Sequence, residues 1–269
     1  MNQSNLQLTK RYSIQYIFCD DQYFFYITKT LCCQMIIMIY SIIYIYNTYY
    51  NCIIIHNLGR ISYDICKKGE LYRLITSTFI HYHPLNIIAN TALLITFGFT
   101  VELKLGYKKF LFTYFLHSIM ANCISIAFEP NRIGYTGDSI VYSYVSMSLI
   151  YSIFGREEEK MDPAMYFQIN LIHLITLTSI IIVNIFNMST IDYLYNYSGL
   201  YLGLITGFLF LDRNNINSKY INLKRFLYIR YMSLFVLISS NISLIGYLIN
   251  YSINTDIKKI ENLCSIMIT

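Results

Sequence analysis

Seven stretches of this chain, at about 31–50, 78–99, 110–128, 137–154, 165–186, 196–211 and 231–251, are apolar over roughly the length a helix needs to cross a bilayer. Inside lipid, backbone groups must find their partners within their own segment or a closed barrel, so such a chain is confined to a bundle of spanning helices. The composition agrees, with 55% hydrophobic and 13% charged residues in 269. The fold expected is therefore an all-α, polytopic membrane protein without a second domain. The stretches at 137–154 and 196–211 are the shortest and carry glycines, serines and other polar residues, which suits helices surrounded by other helices. Tyrosine (28) stands in for tryptophan (0) as the interfacial anchor.

The basic residues set the expected orientation. Thirteen of the 20 Lys and Arg lie before the first stretch, or in the loops after the second, fourth and sixth; seven lie on the opposite side. The larger set should be cytoplasmic, with the N-terminus inside and the C-terminus lumenal or extracellular, in a secretory-pathway or plasma membrane. Lys10, Arg11, Asp20, Asp21 and Lys29 precede any long apolar run. No cleavable signal peptide is expected, and the first spanning segment should serve as its own signal.

Other function classes find little support. The net charge of +5 is spread over many loops without a basic stripe, which argues against a nucleic-acid partner. The seven cysteines form no C-x-x-C and no Cys/His cluster of zinc spacing, so no metal and no cofactor is expected. Cys52 and Cys66 flank one loop and could pair in an oxidising lumen. Inverted pairs of interrupted helices with ionisable residues at mid-membrane, the mark of many transporters, are missing.

What remains is a polar skeleton threaded through the apolar segments. It runs Tyr72-Arg73, Thr76, Phe79, His81, Asn86, Asn90, Gly98, Glu102 and Gly106, then Gly134-Tyr135-Thr136-Gly137, then Asn196 ahead of Gly199, Gly203 and Gly207. At helical spacing Thr136, Ser139 and Ser143 share one face, and Asn196, Gly199, Gly203 and Gly207 share another. Two such small faces let helix backbones approach closely, which would bring Thr136 and Asn196 together at their outer ends.

Order and spacing resemble the rhomboid family of intramembrane serine proteases over roughly residues 70–212. With the apolar stretches, this resemblance gives a rhomboid-like six-helix membrane domain over 31–212. The charge bias gives a cytoplasmic segment 1–30, and the last apolar stretch gives a loop, seventh helix and short tail over 213–269. Residues 1–69 and 213–269 carry nothing diagnostic of the family. The resemblance implies a Ser where this chain has Thr136, between the glycines of G-x-S-G, and a His where it has Asn196, three residues before G-x-x-x-G. It also implies oxyanion donors at Asn86, where the family has His, and at Asn90, and structural roles for Arg73 and Glu102 in bracing the loop and helix ends. Tyr72 replaces the family's usual Trp.

Catalysis needs a nucleophile and a base that takes its proton. Thr136 has a hydroxyl crowded by a methyl, Asn196 has no basic nitrogen, and none of the five histidines lies in or after the sixth segment. Ser139, in Gly137-Asp138-Ser139, sits a turn deeper and finds no His on the partner helix. His117 and His173 read as histidines hydrogen-bonded within the core, and Glu157-Glu158-Glu159-Lys160 as a solvated loop. The expectation is a rhomboid-like pseudoprotease that, as related non-catalytic proteins such as Derlins do, binds transmembrane segments of other proteins in the bilayer. An active protease with an atypical site is the alternative, and a transporter or channel a more distant one.

Overall fold

A computed structural model describes residues 29–49, 53–81, 83–130, 133–134, 137–155, 163–186, 192–211 and 223–254. Thr136 and Cys52 lie outside the described residues. The chain is helical almost throughout: α1 Leu31–Tyr49, α2 Ile53–Leu58, α3 Ser62–Lys68, α4 Arg73–Thr76, α5 Pro84–Leu105, α6 Tyr107–Phe128, α7 Asp138–Phe154, α8 Pro163–Phe186, α9 Tyr193–Phe210 and α10 Leu223–Asn254. Each of the seven apolar stretches thus contains a long helix. Four helices, Leu31–Tyr49, Pro84–Leu105, Tyr107–Phe128 and Phe167–Ile185, are long and apolar enough to cross a membrane by length and composition. Extended helices are the expected result where no water is present to bond a bare backbone.

The second span differs from the sequence reading. It starts at Pro84, not near residue 78, because Ser77–Phe79 forms a short 3₁₀ turn and Pro84 takes the first helical position, where a missing N–H costs nothing. It then runs through a π-helical segment, Leu94–Gly98, to Leu105. Gly106 (φ 77°) turns the chain directly into α6, a backbone conformation that side chains rarely adopt.

Helix α7 is the central post. Most of its residues are buried, polar ones included (Asp138, Ser139, Ser143, Ser146, Ser148, Ser152), and its most extensive packing is on α9. That packing explains why these two stretches carry the small residues. A Cβ added at Gly199 would run into the Ser139 carbonyl, and one at Gly203 into the Ser143 backbone, so the helices touch main chain to main chain. On the outside, α8 exposes Phe167, Leu174, Ile175, Ile182 and Ile185, as a helix facing hydrocarbon should.

Buried polar contacts tie the two ends of the bundle. At one end Glu102 of α5 accepts hydrogen bonds from the backbone N–H groups of Cys32 (3.1 Å) and Cys33 (2.8 Å), satisfying donors that the first turn of α1 leaves open. At the other end Arg73 donates to the carbonyls of His56 and Gly59 (both 2.9 Å) and pairs with Glu70 (2.6 Å) and Asp64 (3.4 Å), holding the α2–α4 loop closed.

Candidate functional site

The end of the bundle that carries Arg73 also carries Gly134, Gly137, Asp138 and the start of the helix with Asn196. Gly134 and Gly137 flank Thr136, and both are buried. Gly134 is fixed by an antiparallel bridge to Arg60, with backbone bonds of 2.7 and 3.0 Å. A side chain at Gly134 would strike the Arg60 guanidinium, and one at Gly137 the Thr78 carbonyl and the Tyr40 hydroxyl. Gly134 and Gly137 thus each leave no room for a side chain.

Arg60 then reaches Asp192, with Nη2 2.5 Å from Oδ2 and both side chains buried. Asp192 caps α9 by accepting from the Tyr195 N–H (3.0 Å) and also accepts from Ser125 Oγ of α6 (2.6 Å). Burial alone would raise the Asp192 pKa, but the Arg60 charge and the bonds from Ser125, Tyr195 and Arg60 hold it below the ordinary carboxylate value. One ion pair thus joins the residue bridged to Gly134 to the start of the helix that carries Asn196. The sequence reading missed it, counting Arg60 only among the loop charges and giving Asp192 no role.

His81, Asn86, Asn90 and Asp138 form the second part of the site. The Nδ2 of Asn90 lies 2.5 Å from Asp138 Oδ1, 3.0 Å from Asn86 Oδ1 and 3.0 Å from His81 Nε2. An amide has two hydrogens, so acceptors already outnumber the donors here. The resemblance makes Asn86 and Asn90 oxyanion donors; in this chain the Asn90 donors point at a carboxylate and its neighbours. An acidic side chain at that place opposes a developing oxyanion instead of stabilising it. The structure also brings an imidazole, His81, into the cluster, where the sequence offered no base. Its Nε2 accepts from Asn90, and burial lowers its pKa against the pull of Asp138.

Asn196 turns the other way. It is buried, donates from Nδ2 to Asn184 Oδ1 of α8 (2.8 Å), and makes no hydrogen bond to the Asn86–Asn90 cluster among the described residues. Its Oδ1 and the Ser139 Oγ are buried with no hydrogen-bond partner among the described residues. Ser139 lies with its backbone against Gly199, as the shared helical faces require.

Deeper in the bundle, His117 of α6 bridges two helices. Ser143 Oγ is 2.6 Å from His117 Nδ1, and His117 Nε2 is 3.0 Å from Thr206 Oγ1. Each hydroxyl also has a carbonyl of its own helix within reach, Ser143 Oγ that of Ile140 (2.6 Å) and Thr206 Oγ1 that of Leu202 (2.7 Å). All three side chains are fully buried. His173 bonds to Ser148 (3.0 Å) and the Ile169 carbonyl (2.8 Å). Both histidines satisfy core polar groups, and His117 does so with a serine at the spacing of a nucleophile and its base.

Comparison with known proteins bears directly on this arrangement. The family model of the Rhomboid domain matches residues 68–213. The chain is 34% identical over 73 residues to rhomboid-like protease 3 of Toxoplasma gondii, covering 27% of this chain and 28% of that protein. It is 38% identical over 64 residues to rhomboid-like protease 2 of the same organism, covering 24% and 23%. These matches span about a quarter of each relative's length.

Proposed function

Because the chain belongs to the rhomboid family, we propose that it uses an intact rhomboid frame to hold transmembrane segments of other membrane proteins without cutting them. The observation that carries this reading is Asn196. It stands where a rhomboid needs its general base, it has no nitrogen that can take a proton, and one of its two amide hydrogens is committed to Asn184. The Asn90–Asp138 contact adds to it, since a carboxylate sits beside the donors an oxyanion would need. In soluble serine proteases, losing the nucleophile or its base costs about a millionfold in turnover.

One observation favours a second reading, an active endopeptidase with a displaced dyad: Ser143 and His117 are in hydrogen-bond contact. Against it, Ser143 has no exposed surface, and its backbone is pressed against Gly203. A peptide carbonyl reaches it only if α7 and α9 separate.

Purified in detergent, the chain is expected neither to react with a fluorophosphonate probe nor to cleave a generic rhomboid substrate. Labelling that disappears in Thr136→Ala or in Ser143→Ala would replace the scaffold reading with an enzyme and name its nucleophile. The double change Thr136→Ser with Asn196→His restores both family residues. Slow cleavage by it, increased by Asp138→Asn, is expected if only these groups separate the frame from catalysis. Client capture is measured by co-purification of membrane proteins, which Thr136→Ala should leave unchanged.

The orientation proposed for this work follows the basic residues. A tag at the N-terminus should be protected from protease in sealed vesicles, and a glycosylation site added after Thr269 should be used. Glycosylation at the N-terminus instead would invert the topology.

A further inference from the structure

Two cysteines far apart in sequence pack against the same apolar cluster at the end of the bundle that carries the Arg60–Asp192 pair. Cys66 lies on α3 in the loop between the first two spans, and Cys123 lies near the end of α6. Both pack against one small apolar cluster made of Ile65, Leu74 and Ile126. The loop is docked on α6 there by two hydrogen bonds to a single acceptor: Ser118 Oγ and Asn122 Nδ2 both donate to the Leu74 carbonyl, at 2.7 and 2.8 Å. Both cysteines are free. The other described cysteines, Cys32 and Cys33, are adjacent in sequence and are held at the opposite end by Glu102.

We propose that Cys66 and Cys123 form a disulfide under oxidising conditions, which clamps the α3 loop to α6. This replaces the Cys52–Cys66 pairing that the loop spacing alone suggests. By the bias of basic residues, this end of the bundle faces the outer or lumenal side, where such bonds persist. The oxidant is a small disulfide such as glutathione disulfide. A Cys66 thiolate attacks one of its sulfurs and releases one glutathione thiol. The Cys123 thiolate then attacks the Cys66 sulfur of the mixed disulfide and releases the second. Two S–H bonds and one S–S bond are lost, and one S–S bond and two glutathione S–H bonds form. The clamp would limit movement of the loop that Arg73, Glu70 and Asp64 hold together.

Burial raises the pKa of Cys66 against the pull of Lys67, so little thiolate is present at neutral pH and exchange is slow. The test therefore equilibrates the full chain, reduced and detergent-solubilised, in a glutathione redox buffer at mildly alkaline pH. Remaining thiols are then blocked with N-ethylmaleimide, and the protein is digested without reduction for mass spectrometry. The expected result is a linked peptide pair containing Cys66 and Cys123. It should be absent in Cys66→Ser and Cys123→Ser but present in Cys52→Ser. The bridged protein should melt on the order of 5 °C above the reduced form. Linkage of Cys66 to Cys52, blocked or glutathione-capped thiols at both positions, or an unchanged melting temperature in the bridged protein would each overturn the proposal.

Discussion

Replacing Gly203 with leucine is expected to take the bundle apart. A Cβ at this position meets the carbonyl oxygen, carbonyl carbon and Cα of Ser143, all of them backbone atoms of a helix buried on every side. A side chain in the way can rotate, but a helix backbone moves only as a whole. Overpacking a tight core costs about 1–3 kcal/mol, and more where backbone must yield. Separating α7 from α9 also breaks the link from Ser143 through His117 to Thr206; the two hydroxyls keep their own helix carbonyls, and a buried His117 nitrogen left bare costs about 1–3 kcal/mol. The effect should be graded by what each glycine touches. Gly203→Ala and Gly199→Ala should already be severe, because both meet backbone. Gly207→Ala should be mild, because its neighbour is the Ile150 side chain at 3.0–3.3 Å, which can shift by a few tenths of an ångström. Detergent-to-SDS titrations followed by circular dichroism would rank the three. If Gly207→Ala proves as damaging as Gly203→Ala, the backbone contact is not the cause. In co-purification, Gly203→Leu should lose the clients that Thr136→Ala keeps.

That close contact was legible in the sequence because it depends on two regularities, a helical period and small residues placed on it. The faces predicted for the fourth and sixth segments are the ones that meet. The partners of the polar residues were legible only in part. Glu102 and Arg73 could be read as braces through the family resemblance, yet nothing local says that Glu102 bonds to α1, some 70 positions earlier. Asp138 passed as a residue beside Ser139, although it is buried and accepts from Asn90. His117 read correctly as a core histidine, but its link to Ser143 depends on α6 crossing α7, which periodicity does not determine. The start of the second span was misjudged because Ser77–Ile80 is compatible with helix by composition, and only tertiary packing turns it into a 3₁₀ segment. Arg60 and Asp192 left the faintest trace. A charge at the edge of an apolar segment is normally solvated, and the signal that these two are buried is a contact across 132 positions.

Removing Arg60 should be the second severe change. Arg60→Ala leaves the Asp192 carboxyl buried with only Ser125 and the Tyr195 N–H as donors, and breaking one side of a buried pair costs about 3–5 kcal/mol. Alanine keeps the backbone bridge to Gly134, so what is lost is the tie from that bridge to the start of α9. Asp192→Asn should cost less, since the amide oxygen can still cap α9 and accept from Ser125. The pair also predicts a pH dependence. The folded-state pKa of Asp192 lies below its unfolded value of about 3.9. Its contribution is therefore complete above that unfolded value and is lost as pH falls through the folded one. Glu70 shifts the same way, through its hydrogen bond from Arg73, and adds to the same acid limb. The loss from these two carboxylates should begin near pH 4, below a separate loss that the buried His81 contributes as pH falls below its unfolded value of about 6.5. In Asp192→Asn the fall should be shallower, with Glu70 accounting for part of what remains. The measurement is a series of melting curves from pH 7 to pH 3 on the wild type, Asp192→Asn and Glu70→Gln. An acid limb identical in all three would mean that neither carboxylate is held by its arginine in the folded protein.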